Sequence, residues 1–301
     1  MQFGTRAFDR HVLPESAGEV DKLASRALFN GVRYLLATLL YGIITWRRQR
    51  RYSRHDVVGG MVVGVLFASG MYFQVVGLRW VVPSVSGFFT ALPVVFAPLA
   101  QSAILKRPVG GKTWAAVALA VVGILFLSWS KPEAIGANTI ASVPPLPHLG
   151  ELMTIAGALI FTAEIISVHH YGQNSDPVRL TLVMIATTGV FSLAVGLVMG
   201  GPTLLRPTAL MGMVHDWEFI WSMSTLIGIS SLLALHLMNI FQPQVSPAVA
   251  SVIYCTEPLF STMFSLLFAT ERLTALTIAG GLAVTASVLV VAAKGKSAKD
   301  E

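Results

Sequence analysis

Residues 246–291 read SPAVASVIYCTEPLFSTMFSLLFATERLTALTIAGGLAVTASVLVV, two apolar stretches joined by a short charged turn at Glu271 and Arg272. Each stretch is about 20 residues long, which is the length a helix needs to cross a hydrocarbon core about 30 Å thick. Strands of a transmembrane barrel would alternate polar with apolar residues, and these stretches are continuously apolar. The pattern therefore predicts two transmembrane helices.

The rest of the chain repeats this pattern. Of 301 residues, 54% are hydrophobic and only 12% are charged, whereas a soluble domain has roughly 25% charged residues. The predicted fold class is an all-α membrane protein, a polytopic helical bundle of about nine spans. The spans are Ala27–Thr45, Val57–Leu78, Ser84–Leu105, Thr113–Trp129, Leu149–Val168, Leu180–Gly200, Phe219–Ile240, Ala248–Phe268 and Leu273–Ala293.

Basic residues in the short loops predict the orientation. They number 12 on the side that holds residues 46–56 and the C-terminus, and 4 on the other side. Cytoplasmic loops carry an excess of Lys and Arg. We therefore expect a multi-pass protein of the cell membrane (plasma or inner membrane) with a cytoplasmic C-terminus, an orientation that protease protection of the two termini would test. Residues 1–26 are predicted to form a polar segment outside the bilayer.

An internal repeat links the first and second halves of the chain. Residues 82–127 run parallel to the opening segment, so that Pro93 matches Pro258 and Ser86 matches Ser251. An odd number of spans separates the two copies, which gives the halves opposite orientations. Inverted repeats of this kind place a binding cavity between them near the midplane of the membrane. Convergent hydrophobic composition is the alternative explanation.

Three stretches resemble the drug/metabolite transporter (DMT) superfamily, in particular its EamA-like transporter family. They are FNGVRYLLA at 29–37, PSVSGFFTALPVVFAPL at 83–99 and YCTEPLFSTMFSLLFATERLTALTIAGGLAV at 254–284. The resemblance implies two inverted five-helix repeats that export or import metabolites. Lys106 and Ala115 depart from it, since the first repeat often has an acidic residue and a glycine there.

The resemblance also implies a domain organisation. It comprises the polar segment 1–26, a first repeat at 27–130, a proline-rich connector at 131–148, a second repeat at 149–293 and a basic tail at 294–301. Such transporters usually have ten helices, and the first repeat lacks its first helix here. We expect either a start further upstream or a nine-helix variant.

Carboxylates inside apolar spans are the leading site candidates, because an ionised group at the bilayer centre costs at least about 2.5 to 3.5 kcal/mol. Glu257 shares a predicted helix face with Ser251, Tyr254 and Ser261, and Glu164 lies within its own apolar span. Either carboxylate could carry protons. The alternative is a packing role, which for Glu257 follows from a helix broken at Pro258.

Weaker candidates are uncharged. His236 and Asn239 share a predicted face that either lines a polar pathway or makes an interhelical hydrogen bond, and Gln74 and Gln101 could line the interior. Arg33 is expected to snorkel to the membrane surface from near the start of its helix. No metal site is expected at His169 and His170, and no cofactor or catalytic residue is assigned.

Motifs that are missing from the sequence exclude several functions. No phosphate-binding loop, Gly-x-Ser-x-Gly elbow or His-Glu-x-x-His pair occurs in the sequence. The prediction is a secondary transporter that moves small organic metabolites or drugs by alternating access, with proton coupling through Glu257 or Glu164. The alternatives are a non-transporting membrane scaffold or receptor and, less well supported, an intramembrane enzyme. The expected partners are the lipid bilayer and a small organic substrate, with no nucleic acid; a homo-oligomer stays open.

Overall fold

The computed structural model describes residues 8–13, 19–49, 51–77, 91–129, 149–200, 213, 215–257, 259–260, 263 and 274–297. Within these ranges the regular structure is entirely helical. The α-helices are α1 Glu19–Thr45, α2 Arg54–Gly77, α3 Pro93–Ile104, α4 Gly111–Trp129, α5 Leu149–Gly172, α6 Pro177–Gly200, α7 Trp217–Thr225, α8 Ala234–Phe241, α9 Pro247–Tyr254 and α10 Ala275–Ser297. A π-helix, Leu226–Leu233, joins α7 to α8.

Six helical segments of the described chain are long and apolar enough to cross a membrane. They are Val20–Arg48, Arg54–Gly77, Leu149–Gly172, Pro177–Gly200, Trp217–Gln244 and Ala275–Ala292, and two shorter apolar helices are Pro93–Ile104 and Gly111–Leu127. The predicted all-α membrane fold is thereby confirmed. Parts of the predicted spans Ser84–Leu105 and Ala248–Phe268 lie outside the described residues.

Helix α1 begins eight residues before the predicted start of its span. It begins at Glu19, because Leu23, Ala24 and Ser25 are buried and continue the packed face of the helix. Residues 8–12 also form a short helical turn, in which Phe8 is fully buried and contacts the Phe29 ring edge-on at 5.5 Å. The segment predicted to be polar is therefore amphipathic.

The chain forms two compact units, each of which contains residues from both predicted repeats. The first comprises Met1–Ala68 and His170–Gln244. Its centre is the packing of α1 along α6. A Cβ atom on Gly31 would lie 2.8 Å from the Leu193 backbone, and one on Gly196 would lie 2.8 Å from the Leu28 nitrogen. Only glycine permits backbones to approach so closely.

Helix α2 packs on α6 in the same unit through a second pair of glycines. A Cβ atom on Gly60 would lie 2.5 Å from the Val183 Cβ, and one on Gly64 would lie 2.6 Å from the Met184 carbonyl oxygen. The Thr188 hydroxyl donates across the same contact to the Gly64 carbonyl at 3.2 Å. These close contacts give Gly60 and Gly64 a structural role in the packing of α2 on α6.

An ion pair connects the first turns of α2 and α6. The Asp56 carboxylate is buried and accepts from the Arg179 guanidinium at 3.3 Å and from the Asp176 backbone N–H at 3.0 Å. The Ser53 backbone N–H also donates to it, at 2.8 Å. These bonds satisfy the buried charge and fix the starts of both helices.

The second unit comprises Ser69–His169 and Val245–Glu301. Helices α4 and α10 pack closely, since a Cβ atom on Gly123 would lie 2.9 Å from the Gly280 carbonyl oxygen. This contact continues into an apolar core that also includes residues of α3 and α9. Its buried members are Val94, Ala116, Val117, Ala120, Ile124, Leu127, Val252, Cys255, Val284 and Val291.

Candidate functional site

Glu164 is a buried acid in the middle of α5, in the second unit. Its side chain is 4% exposed, and its Oε1 atom has no hydrogen-bond partner among the described residues. No arginine or lysine of the described chain forms an ion pair with it. A buried carboxyl group that lacks such partners is stable in an apolar setting only when it holds a proton, or while a cation is close to it.

Tyr254 brings Glu164 together with Glu257, the other candidate acid. The carboxyl groups of both glutamates interact electrostatically with the phenol of Tyr254, which stands at the end of α9. Tyr254 is 39% exposed and Glu257 is also exposed. Glu164 and the predicted pair Tyr254 and Glu257 are therefore coupled electrostatically, and we call these three residues the acidic cluster.

The predicted face of α9 is only partly reproduced. Ser251 lies on the buried side, where its hydroxyl donates to the Ala248 carbonyl of its own helix at 2.9 Å. Tyr254 and Glu257 point to the exposed side instead. Ser261, the remaining member of this predicted face, lies outside the described residues.

Gln101 and Gln74 also belong to the second unit. Gln101 is buried on α3, and its side-chain oxygen accepts from the Ala248 backbone N–H at 3.1 Å. This bond satisfies a free N–H group in the first turn of α9, so Gln101 connects two helices. Gln74 is half-buried on α2, where Gly157 of α5 approaches its backbone.

Arg33 contradicts the expectation that it snorkels to the surface. Because α1 begins at Glu19, Arg33 lies about four turns inside the helix rather than near its start. Its side chain is 2% exposed, and it donates from Nε to the Ser231 hydroxyl at 2.9 Å and from Nη2 to the Ser230 hydroxyl at 2.8 Å. Both serines belong to the π-helix.

His236 and Asn239, on α8, are two further polar residues of the first unit. The His236 Nδ1 atom is hydrogen-bonded to the Tyr41 hydroxyl at 2.7 Å. The Asn239 amide donates to the Thr181 hydroxyl at 3.0 Å, while its Oδ1 atom is buried without a partner among the described residues. Both residues thus make the interhelical hydrogen bonds that the packing alternative expected.

The π-helix is the feature that sequence reasoning missed. The pair Ser230 and Ser231 in the apolar run LIGISSLL was the signal available. Such i→i+5 turns are rare and are frequent at functional sites. Here the π-helix supplies both of the hydroxyl groups that Arg33 contacts.

Charged residues tie the N-terminal turn at 8–12 to α7 outside the membrane-spanning segments. The His11 ring bonds to the Asp216 carboxylate at 3.0 Å, and Arg10 forms an ion pair with Glu218. The hydrogen bond from His11 and the backbone N–H groups of α7 lower the pKa of Asp216. Asp216 also caps α7 by accepting from the Glu218 and Phe219 nitrogens.

Neither the apolar groove of the first unit nor a metal-binding group coincides with the candidate residues that the structure describes. An apolar groove of about 520 Å³ in the first unit is lined by Thr38, Leu39, Gly42, Ile43, Trp46 and Leu182, and none of the candidate residues lines it. Within the described ranges, no group of three His, Cys, Asp or Glu residues has the geometry to hold a metal ion. The two candidate sites are therefore the acidic cluster and the buried Arg33 with its partners Ser230 and Ser231.

Comparison with known proteins decides the family. The sequence model of the EamA-like transporter family matches residues 21–129 and 148–293, which together make up most of the chain. The chain belongs to the EamA-like transporter family. It is therefore a multi-pass membrane protein of a transporter family, embedded in lipid.

Individual relatives agree with this assignment. An uncharacterized transporter of Archaeoglobus fulgidus is 25% identical over 265 residues, covering 87% of this chain and 75% of the relative. A solved crystal structure with 12% sequence identity covers 97% of both chains with a TM-score of 0.68. At that identity the likeness concerns the fold alone.

Proposed function

We propose that this protein is a secondary transporter that moves small organic metabolites or drugs across the cell membrane by alternating access of two inverted repeats. The family membership supports transport. The absence of a phosphate-binding loop from the sequence argues against ATP as the energy source. The excess of basic residues in the short loops on one side supports a cytoplasmic C-terminus.

We further propose that protons drive this transport through Glu164. The observation that carries the proposal is the buried carboxyl group of Glu164, whose Oε1 atom has no hydrogen-bond partner among the described residues. A group in this position binds a proton when it is closed off from water and can release it when water or a cation reaches it. Glu257, at the exposed side of the acidic cluster, would pass protons between Glu164 and the solvent.

Flux into proteoliposomes with and without an imposed pH gradient tests the role of Glu164. In the wild type we expect the gradient to accelerate uptake of at least one member of a metabolite panel. Glu164→Gln keeps the shape and cannot release a proton, so uptake should fall to the level seen without a gradient. Glu151→Gln, in the first turn of the same helix, is the matched control and should retain acceleration.

If the pH gradient accelerates uptake by Glu164→Gln as much as by the wild type, this carboxyl group does not carry the coupling proton.

The scaffold alternative was motivated partly by a polar N-terminal segment free to bind a partner. Residues 8–12 instead pack against their own unit, with Phe8 fully buried. We propose no enzymatic activity for the chain.

A further inference from the structure

Arg33 is a buried cation whose described surroundings provide no carboxylate. Its only polar contacts within the described chain are the two serine hydroxyls of the π-helix, and its guanidinium lies 4.9 Å from the centroid of the Tyr34 ring. The first unit contains several acidic side chains, but none of those that the structure describes forms an ion pair with Arg33. Among the described residues, two hydroxyl groups and an aromatic face surround the charge.

The guanidinium retains unused hydrogen-bonding capacity. An arginine side chain has five N–H donors in a planar fork, and only two of them are used here, one on Nε and one on Nη2. The Nη1 group has no hydrogen-bond acceptor among the described residues. A buried guanidinium with a free donor edge matches the two oxygens of a carboxylate or phosphate.

The neighbourhood of Arg33 is polar and partly open. The buried Oδ1 atom of Asn30, one turn away on α1, has no partner within the described ranges. Ser230 is exposed, and a Cβ atom added to Gly228 would meet nothing within 4 Å. The π-helix is therefore open at Gly228 and at Ser230, and the Ser230 hydroxyl is one of the two that Arg33 contacts.

We propose that Arg33, with Ser230 and Ser231, binds the oxyanion of a small organic anion, either a carboxylate or a phosphate ester. The anion would supply the counter-charge that the described residues lack and would accept the free guanidinium donors. The serines would hold the fork in position. The inference rests on the proposed transport function in taking this anion as the transported substrate.

Thermal unfolding of the purified protein in a neutral detergent tests this site. The probes are sodium succinate and inorganic phosphate, titrated at constant ionic strength with sodium chloride. We expect at least one of them to raise the unfolding midpoint saturably. Arg33→Lys keeps the charge but loses the fork, so the apparent affinity should fall about tenfold or more. The exposed Arg47→Gln removes an equal charge and should respond as the wild type does.

A phospholipid headgroup offers the same chemistry, so a second arm compares nanodiscs of phosphatidylglycerol with nanodiscs of phosphatidylcholine. A shift in phosphatidylglycerol with none from either soluble anion would overturn the proposal, because the ligand would then be a lipid. It would also be overturned by an unresponsive wild type or by an undiminished response in Arg33→Lys. If uncharged solutes are still transported in that case, the proposed function survives the failure of this inference.

Discussion

Buried polar side chains in the described helices differ in whether their hydrogen-bonding capacity is filled. Gln101 closes a backbone N–H group at the start of α9, whereas Glu164 retains an unpartnered oxygen. The sequence identified both residues, because a polar group in a continuous apolar span is visible without a structure. It could not separate their roles, because whether a buried polar group finds a partner depends on distant parts of the chain, as with Ala248 for Gln101.

The prediction for Arg33 was wrong because it also depended on structure beyond the residue itself. Its position was known from the sequence, but its depth depended on where α1 begins, and helix boundaries are uncertain when residues flanking an apolar span are amphipathic. The buried residues Leu23 and Ala24 extend the helix, which places Arg33 well inside it. The prediction that Arg33 snorkels was wrong because it used a helix start eight residues too late.

The pH dependence of stability should differ in sign between two aspartates near the N-terminal turn. The hydrogen bond from His11 lowers the pKa of Asp216 below 3.8, so its stabilising contribution is present above that pH and is lost as the pH falls further. Partial burial raises the pKa of Asp9, despite the hydrogen bond from Ser25, so its charged form is disfavoured at neutral pH.

We expect Asp216→Asn to lower the unfolding midpoint at pH 7, and we expect its difference from the wild type to shrink as the pH falls below 3.8. Asp9→Asn should leave the midpoint at pH 7 unchanged or raise it. Differential scanning fluorimetry of the purified protein between pH 3 and pH 7 measures both. A midpoint of Asp216→Asn at pH 7 equal to that of the wild type would show that the pairing with His11 has no net effect on stability.

At the scale of helices, length and hydropathy predicted the spans well, because the bilayer fixes the length of any helix that crosses it. The predicted span Phe219–Ile240 corresponds to the continuous segment Trp217–Gln244. The π-helix inside that segment was not predicted. Its wider turns leave no signature in hydropathy, and they are visible only in the backbone hydrogen bonding of the structure.

Close helix packing gives a prediction at this scale. Gly64→Ala would place a Cβ atom 2.6 Å from the Met184 carbonyl oxygen, so α2 and α6 would have to separate. We expect the free energy of unfolding to fall by about 1–3 kcal/mol, as in other overpacked interfaces. Gly111→Ala, where a Cβ atom meets nothing within 4 Å, is the control. Unfolding in detergent and denaturant measures both, and an unchanged Gly64→Ala would contradict the packing.

At the scale of the whole molecule, the sequence predicted repeats that follow one another along the chain. The compact units do not follow that order, because Met1–Ala68 groups with His170–Gln244 and Ser69–His169 groups with Val245–Glu301. The repeats were predicted from similarity between sequence segments, whereas compactness depends on which helices touch. That is why neither unit could be delimited from the sequence alone.

Uptake by proteoliposomes that contain the full chain tests transport most directly. The panel would combine labelled amino acids, organic acids, phosphate esters, sugars and amphipathic drugs, with protein-free liposomes as the reference. We predict time-dependent, saturable uptake of at least one compound above the protein-free level. A folded, monodisperse protein that moves none of them, in net uptake or in exchange, would contradict the proposal that this chain is a transporter.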